Sequence, residues 1–214
     1  MPIMRVFLVG LPKSGTTTLH AALVVSGLKS VHWYEPTLDR YVGRSMYFRY
    51  FQGQDPLLDF HAYDAVTQAD LITLNESYWP QMDYAMLRAI RTHHPDCTFV
   101  LNYRDPEKVA DSIRRWGNLQ DRLHKVGTPG LPPGTEKSQD NLIRWITAHY
   151  ANMRQFFSTC RNYFEYDIED IDAPNIIGEK LDMEIKWWGV SNKNVAFPPG
   201  IDESARAALT RPER

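Results

Sequence analysis

Short apolar runs alternating with amphipathic stripes set the pattern of this chain. Met4-Arg5-Val6-Phe7-Leu8-Val9 is β-branched and aromatic, ends at Gly10, and predicts a buried strand. Past the polar turn Pro12-Lys13-Ser14-Gly15, the residues Leu19, Ala22 and Leu23 share one face of a helix predicted over 16–26, with Gly27 as its stop. Ser30 to Tyr34 predicts a second strand, and this strand–turn–helix–strand order is that of a parallel α/β unit. Tyr41 to Tyr63 reads as an aromatic, irregular stretch. Leu71-Ile72-Thr73-Leu74 predicts a third strand, followed by a helix through Met82, Met86 and Ile90. Cys97 to Leu101 predicts a fourth strand that runs into Asn102-Tyr103-Arg104-Asp105. Asp105 and Pro106 then read as the cap and first position of a helix through Val109, Ile113 and Trp116. After a Gly/Pro loop from Gly127 to Gly134, a stripe of Leu142, Ile146, Tyr150, Met153 and Phe157 predicts a helix over 138–158. Tyr163 to Tyr166 supplies a fifth strand. No repeat or linker interrupts the pattern. The expectation is one α/β domain over 1–214, three layers deep (α/β/α) around a parallel sheet of about five strands.

Composition narrows the partners. Of 214 residues, 43% are hydrophobic and 23% charged, enough apolar surface for a large core. Twenty-four basic against 26 acidic side chains leave a net charge of -2, which argues against nucleic-acid binding through bulk positive charge. No run approaches the roughly 18 to 20 apolar residues of a membrane span, and the start lacks a secretory pattern. A cytoplasmic protein that binds no membrane is expected. Two cysteines, Cys97 and Cys160, are too few for a disulfide framework or a zinc cluster, so no metal site is expected.

The chemistry is concentrated between the first strand and the first helix. Gly10-Leu11-Pro12-Lys13-Ser14-Gly15-Thr16-Thr17 keeps the two glycines and the final hydroxyl of an ATP-binding P-loop, but Thr16 stands where that loop has its lysine. Lys13 is the only cation. Backbone N–H groups at a helix start point outward unpaired, and the helix dipole favours an anion there. A P-loop NTPase-like cradle with a displaced lysine suits a shorter phosphate chain.

Pro12-Lys13-Ser14-Gly15-Thr16-Thr17 resembles the 5′-phosphosulfate loop of sulfotransferases that use 3′-phosphoadenylyl sulfate (PAPS). Arg104-Asp105-Pro106, with Ser112 further on, resembles the same family's 3′-phosphate motif. Toward the end, Gly189 to Asn194 ahead of Pro198 resembles the loop that closes over the nucleotide in carbohydrate-type members. Asn194 and Val195 stand there in place of a glycine and an arginine. The resemblance implies PAPS as donor, 3′,5′-ADP (PAP) as product, and a small-molecule or glycan acceptor. The nucleotide would be held by Pro12, Lys13, Ser14, Gly15, Thr16, Thr17, Thr18, Arg104, Ser112, Lys193 and Asn194. Lys13 would meet the leaving phosphate oxygen.

The base for the acceptor proton is open among three residues: Glu76 after the third strand, then His32 and Glu35 after the second. His20 reads as structural. The aromatic stretch and Arg40, Arg44 and Arg49 are candidates for acceptor contact. Two other readings compete: a P-loop kinase or NTPase, and a non-catalytic module that binds 3′,5′-ADP.

Overall fold

The structure, a computed structural model, describes residues 4–189. Alternation along β1 (Val6–Leu8) explains its layering. Successive strand side chains point to opposite faces. Val6 and Leu8 enter one apolar cluster with Leu19, Leu23, Ala173 and Ile177, whereas Phe7 and Val9 join the other with Met46, Leu87, Ile113 and Ile146. The same parity recurs at Val100 against Phe99 and Leu101 in β8 (Thr98–Tyr103). A sheet buried on both faces requires helices on both sides. On one side lie α1 (Thr16–Val25) and α7 (Ala173–Leu181). On the other lie α2 (Val42–Phe51), α3 (Tyr84–His93), α4 (Pro106–Arg115), α5 (Leu119–Val126) and α6 (Gln139–Phe156). This is the expected three-layer α/β/α fold.

The central sheet runs β2-β5-β1-β8-β9, all parallel, with β2 (Ser30–His32), β5 (Ala65–Gln68) and β9 (Tyr163–Asp167). Beyond β2, two short antiparallel strands extend the edge: β3 (Tyr34–Glu35) and β4 (Arg40–Tyr41). Asp105 caps α4 as expected, its carboxylate accepting from the N–H groups of Glu107 at 2.8 Å and Lys108 at 3.2 Å.

Two expectations are corrected. The third strand of the parallel sheet is β5, not Leu71 to Leu74. The pair β6 (Leu71–Ile72) and β7 (Ser77–Tyr78) forms a separate antiparallel hairpin. The aromatic stretch is not irregular throughout: Val42 and Met46 are fully buried and give α2 an apolar face.

Met4, just ahead of β1, is pinned by a polar cluster. Met4 N–H donates to His94 Nδ1 at 3.2 Å, which puts the His94 proton on Nε2, 2.9 Å from Asp55 Oδ2. His61 Nε2 lies 2.6 Å from the same oxygen. Asp55, His61 and His94 are close enough together to hold a cation, yet His94 has both ring nitrogens committed to hydrogen bonds. Among the described residues, no helix is long and apolar enough to cross a membrane.

Candidate active site

The loop between β1 and α1 is held open by residues chosen for backbone reasons. Gly15 precedes α1 at φ 98°, and no side chain caps the helix start. A Cβ on Gly15 would lie 2.6 Å from Ile168 Cγ1, and one on Gly10 only 1.7 Å from Asn102 Oδ1. Both glycines are therefore required by close approach, and Gly15 by its left-handed conformation as well. Asn102, near the end of β8, clamps the loop: its Nδ2 donates to Ser14 O at 2.8 Å and to Ser14 Oγ at 2.7 Å. Ser14 Oγ in turn donates to Leu11 O. On the other flank, His149 Nε2 donates to Val9 O at 2.7 Å, and burial pushes the His149 pKa down to about 4.

Lys13 sits at φ 71°, in the left-handed region that disfavours a side chain. Its carbonyl accepts from Arg104 Nη1 at 2.9 Å, and its ammonium lies 3.0 Å from the centroid of the Trp116 ring. The strained lysine is thus braced at both ends. Arg104 itself lies at the carboxyl edge, 3.9 Å from Glu169, with its carbonyl accepting from Tyr150 Oη at 3.1 Å. Ser112 is half-buried on α4. Pro12, Ser14, Thr16 and Thr18 are buried, while Lys13, Gly15 and Thr17 are half-exposed. The bond from Arg104 to the Lys13 carbonyl brings the start of the second motif against the first at one edge of the sheet. Lys193 and Asn194 lie outside the described residues.

The base candidates separate sharply. Glu76 does not leave a central strand; it sits on the β6–β7 turn, where its N–H donates to Thr73 Oγ1 at 3.0 Å, and its carboxylate pairs with Arg44. Glu35 is buried and accepts from Leu38 N–H and, at 2.6 Å, from Tyr63 Oη. Burial opposes its ionisation, but bonds from Tyr63, Leu38 and Thr37 outweigh that and hold the carboxyl below its ordinary range. Both carboxylates are occupied by structural partners. His32, at the end of β2, lies with Nε2 3.5 Å from Thr17 Oγ1 and Nδ1 3.2 Å from Thr67 Oγ1. Burial, then the neighbouring His20 ring stacked at 5.0 Å, push its pKa well below the ordinary value, so it is a neutral imidazole beside the loop.

Sequence reasoning missed three contributors. Trp116 reads as a core position, but α4 stops at Arg115 and the ring is 40% exposed, which leaves it over Lys13. Gln68 ends β5 and Asp70 lies just beyond it; the strand's four residues Ala-Val-Thr-Gln carry too little apolar signal. Thr16 Oγ1 donates to Gln68 Oε1 at 3.0 Å, and Gln68 Nε2 donates to Asp70 Oδ2 at 3.0 Å. The arginines thought free for an acceptor are engaged internally: Arg40 and Arg49 pair with Asp59, and Arg44 with Glu76.

A parallel α/β sheet whose first strand ends in a glycine-bounded loop of hydroxyls and one ammonium, ahead of a helix start, defines the class: an α/β protein with a loop of the kind that suits an anion. Residues 5–126, more than half of the chain, match the sulfotransferase domain family, and the chain belongs to that family. Sulfuryl transfer is the chemistry of such domains. Comparison with curated proteins finds no match.

Proposed function

We propose that the protein transfers the sulfuryl group of PAPS to a hydroxyl of a small-molecule or glycan acceptor. The observation that carries this reading is the loop itself. Its donor set is all hydrogen-bond donors and one cation, with no acidic residue in the first turn of α1, so it fits a singly esterified phosphate. The donor supplies the activated sulfur. The Thr17 and Thr18 hydroxyls and the N–H groups at the start of α1, that of Thr16 among them, bind its 5′-phosphate, and Lys13 neutralises charge on the phosphate oxygen as the S–O bond breaks. His32 Nε2 takes the acceptor proton as the new O–S bond forms. Trp33 and Tyr34 follow His32 directly and Tyr41 pairs with Tyr34 from β4; the three ring centroids lie 5.1 to 5.6 Å apart and supply a platform for an acceptor ring. A magnesium-dependent kinase is disfavoured, because Thr16 stands where a P-loop has the lysine that reaches the β- and γ-phosphates, and its hydroxyl is given to Gln68.

Calorimetry with 3′,5′-ADP and with ATP plus magnesium tests the nucleotide. Binding of 3′,5′-ADP without magnesium is expected; tight ATP binding with indifference to 3′,5′-ADP would reject the proposal. Labelled PAPS screened against pools of hydroxyl acceptors then identifies the acceptor.

A further inference from the structure

Proton direction in the polar cluster behind the loop is fixed by one carbonyl. Thr67 Oγ1 lies 3.1 Å from Val31 O, 3.2 Å from His32 Nδ1, 3.2 Å from Ser30 Oγ and 3.2 Å from His20 Nδ1. Ser30 Oγ also lies 2.8 Å from His20 Nδ1. A carbonyl oxygen only accepts, so the single Thr67 hydroxyl proton goes to Val31 O and the two lone pairs of Thr67 Oγ1 accept; Ser30 and His20, bonded to each other, supply at most one donor between them, which leaves a lone pair for His32 Nδ1. His32 Nδ1 therefore carries a proton and donates it to Thr67. Reversing the Ser30–His20 bond leaves this unchanged. A neutral imidazole protonated at Nδ1 presents a lone pair at Nε2, the nitrogen facing Thr17. Thr67 is fully buried, as are Val31 and the His20 ring to within a few per cent, so water does not offer His32 another partner on that side.

We propose that Thr67 is a positioning residue for sulfuryl transfer: it locks His32 in the Nδ1–H tautomer and so aims the basic Nε2 lone pair at the phosphate loop. The role rests on His32 being the base, as read above. The lock joins two strands, since Thr67 belongs to β5 and His32 to the neighbouring β2, at the point where their register shifts between Val31 and His32. That irregularity turns the strand end and brings the imidazole over the threonine hydroxyl. A threonine in a buried strand reads as a β-branched filler, and its hydroxyl becomes informative only once the partners across the strand are known.

The test is made on the free protein, by long-range proton–nitrogen NMR of the histidine ring nitrogens at neutral pH. His32 is expected to give the Nδ1–H pattern in the parent. Thr67→Val keeps the side-chain volume and removes the hydroxyl; it is expected to move His32 toward the Nε2–H form, and Thr67→Ser to restore the parental pattern. In single-turnover transfer, Thr67→Val is expected to lower the chemical step by roughly tenfold or more with donor KM unchanged, and Thr67→Ser to recover it. An Nε2–H pattern in the parent overturns the proposal, even if no variant folds. An Nδ1–H pattern that survives Thr67→Val overturns it as well. If the tautomers behave as stated but His32→Ala transfers at the parental rate, the lock is upheld and the base assignment is the part that falls.

Discussion

At the scale of single residues, Lys13 is where chemistry overrides backbone preference. A left-handed φ costs a side-chain-bearing residue roughly 1 to 2 kcal/mol, which glycine would avoid. Lys13→Gly is therefore expected to be more stable than Lys13→Ala by about 1 kcal/mol in urea unfolding. Both variants should lose ~10²–10³ in transfer rate, since each removes the loop's only ammonium. Equal stabilities would show that the loop relaxes around position 13, and a rate within a few-fold of the parent would remove Lys13 from the chemistry. Arg104 and Ser112 make a second pair of expectations. Only 3′,5′-ADP carries a 3′-phosphate, so Ser112→Ala should weaken it more than 5′-AMP, and Arg104→Ala should do so by more than tenfold. Arg104 also braces the Lys13 carbonyl, so Arg104→Ala should cost some 5′-AMP affinity too, whereas Ser112→Ala should not. Equal losses for both nucleotides in both variants would show that neither residue reads the 3′ group.

At the scale of elements, what the sequence revealed depended on how strongly each segment was patterned. β1, β8, α4 and α6 carry long apolar periodicities or explicit caps and were readable, as was the loop, whose glycines and lysine form a contiguous motif. β5 was not, because Ala65 and Gln68 are weak strand signals and its burial comes from being sandwiched between β1 and β2. The more apolar Leu71 to Leu74 took its place in the reading, and that displaced Glu76 from a hairpin turn to a strand end. α2 was hidden for the opposite reason: Tyr47, Phe48, Tyr50 and Phe51 blur the boundary between its buried stripe of Val42 and Met46 and its outer face. Glu35, the third candidate, is an element-scale anchor. It ties the β3–β4 turn to Tyr63, and its lowered pKa means that its contribution to stability is present above its unfolded value, near 4.5, and is lost as pH falls through the folded value. Glu35→Gln should lower stability at pH 7 and flatten the acid limb of the stability curve below pH 4.5, as followed by unfolding at a series of pH values. An unchanged acid limb would mean that the carboxylate is not holding the turn.

At the scale of the whole molecule, the site is assembled by burying imidazoles around it. His20, His32 and His149 are all at least nine-tenths buried and all have pKa values lowered by burial, His20 and His149 to about 4 and His32 well below the ordinary 6.5. They tie the elements around the loop together: His20 joins α1 to β2 and β5, His32 reaches Thr17 from β2, and His149 joins α6 to Val9. In the unfolded chain each takes up a proton near pH 6.5, whereas in the folded protein it does not until much lower pH. The unfolded state thus binds more protons below that value, and stability falls with decreasing pH. Each buried histidine contributes a slope of up to roughly 1.4 kcal/mol per pH unit, so three together reach about 4 kcal/mol per unit. Against a typical domain stability of roughly 5 to 15 kcal/mol, a shift of one to two pH units below 6 should unfold the protein cooperatively. The measurement is the urea-unfolding free energy from pH 8 to pH 4.5, with proton uptake followed alongside. Stability should be flat above pH 7 and fall steeply below pH 6, with uptake on unfolding at pH 5 approaching one proton for each of the three rings. His149→Gln, which keeps a donor within reach of Val9 O, should reduce the slope by about one third. A flat profile down to pH 4.5 would show that the rings accept protons in place, and that the neutrality of His32, on which its service as a base depends, is not maintained by the fold.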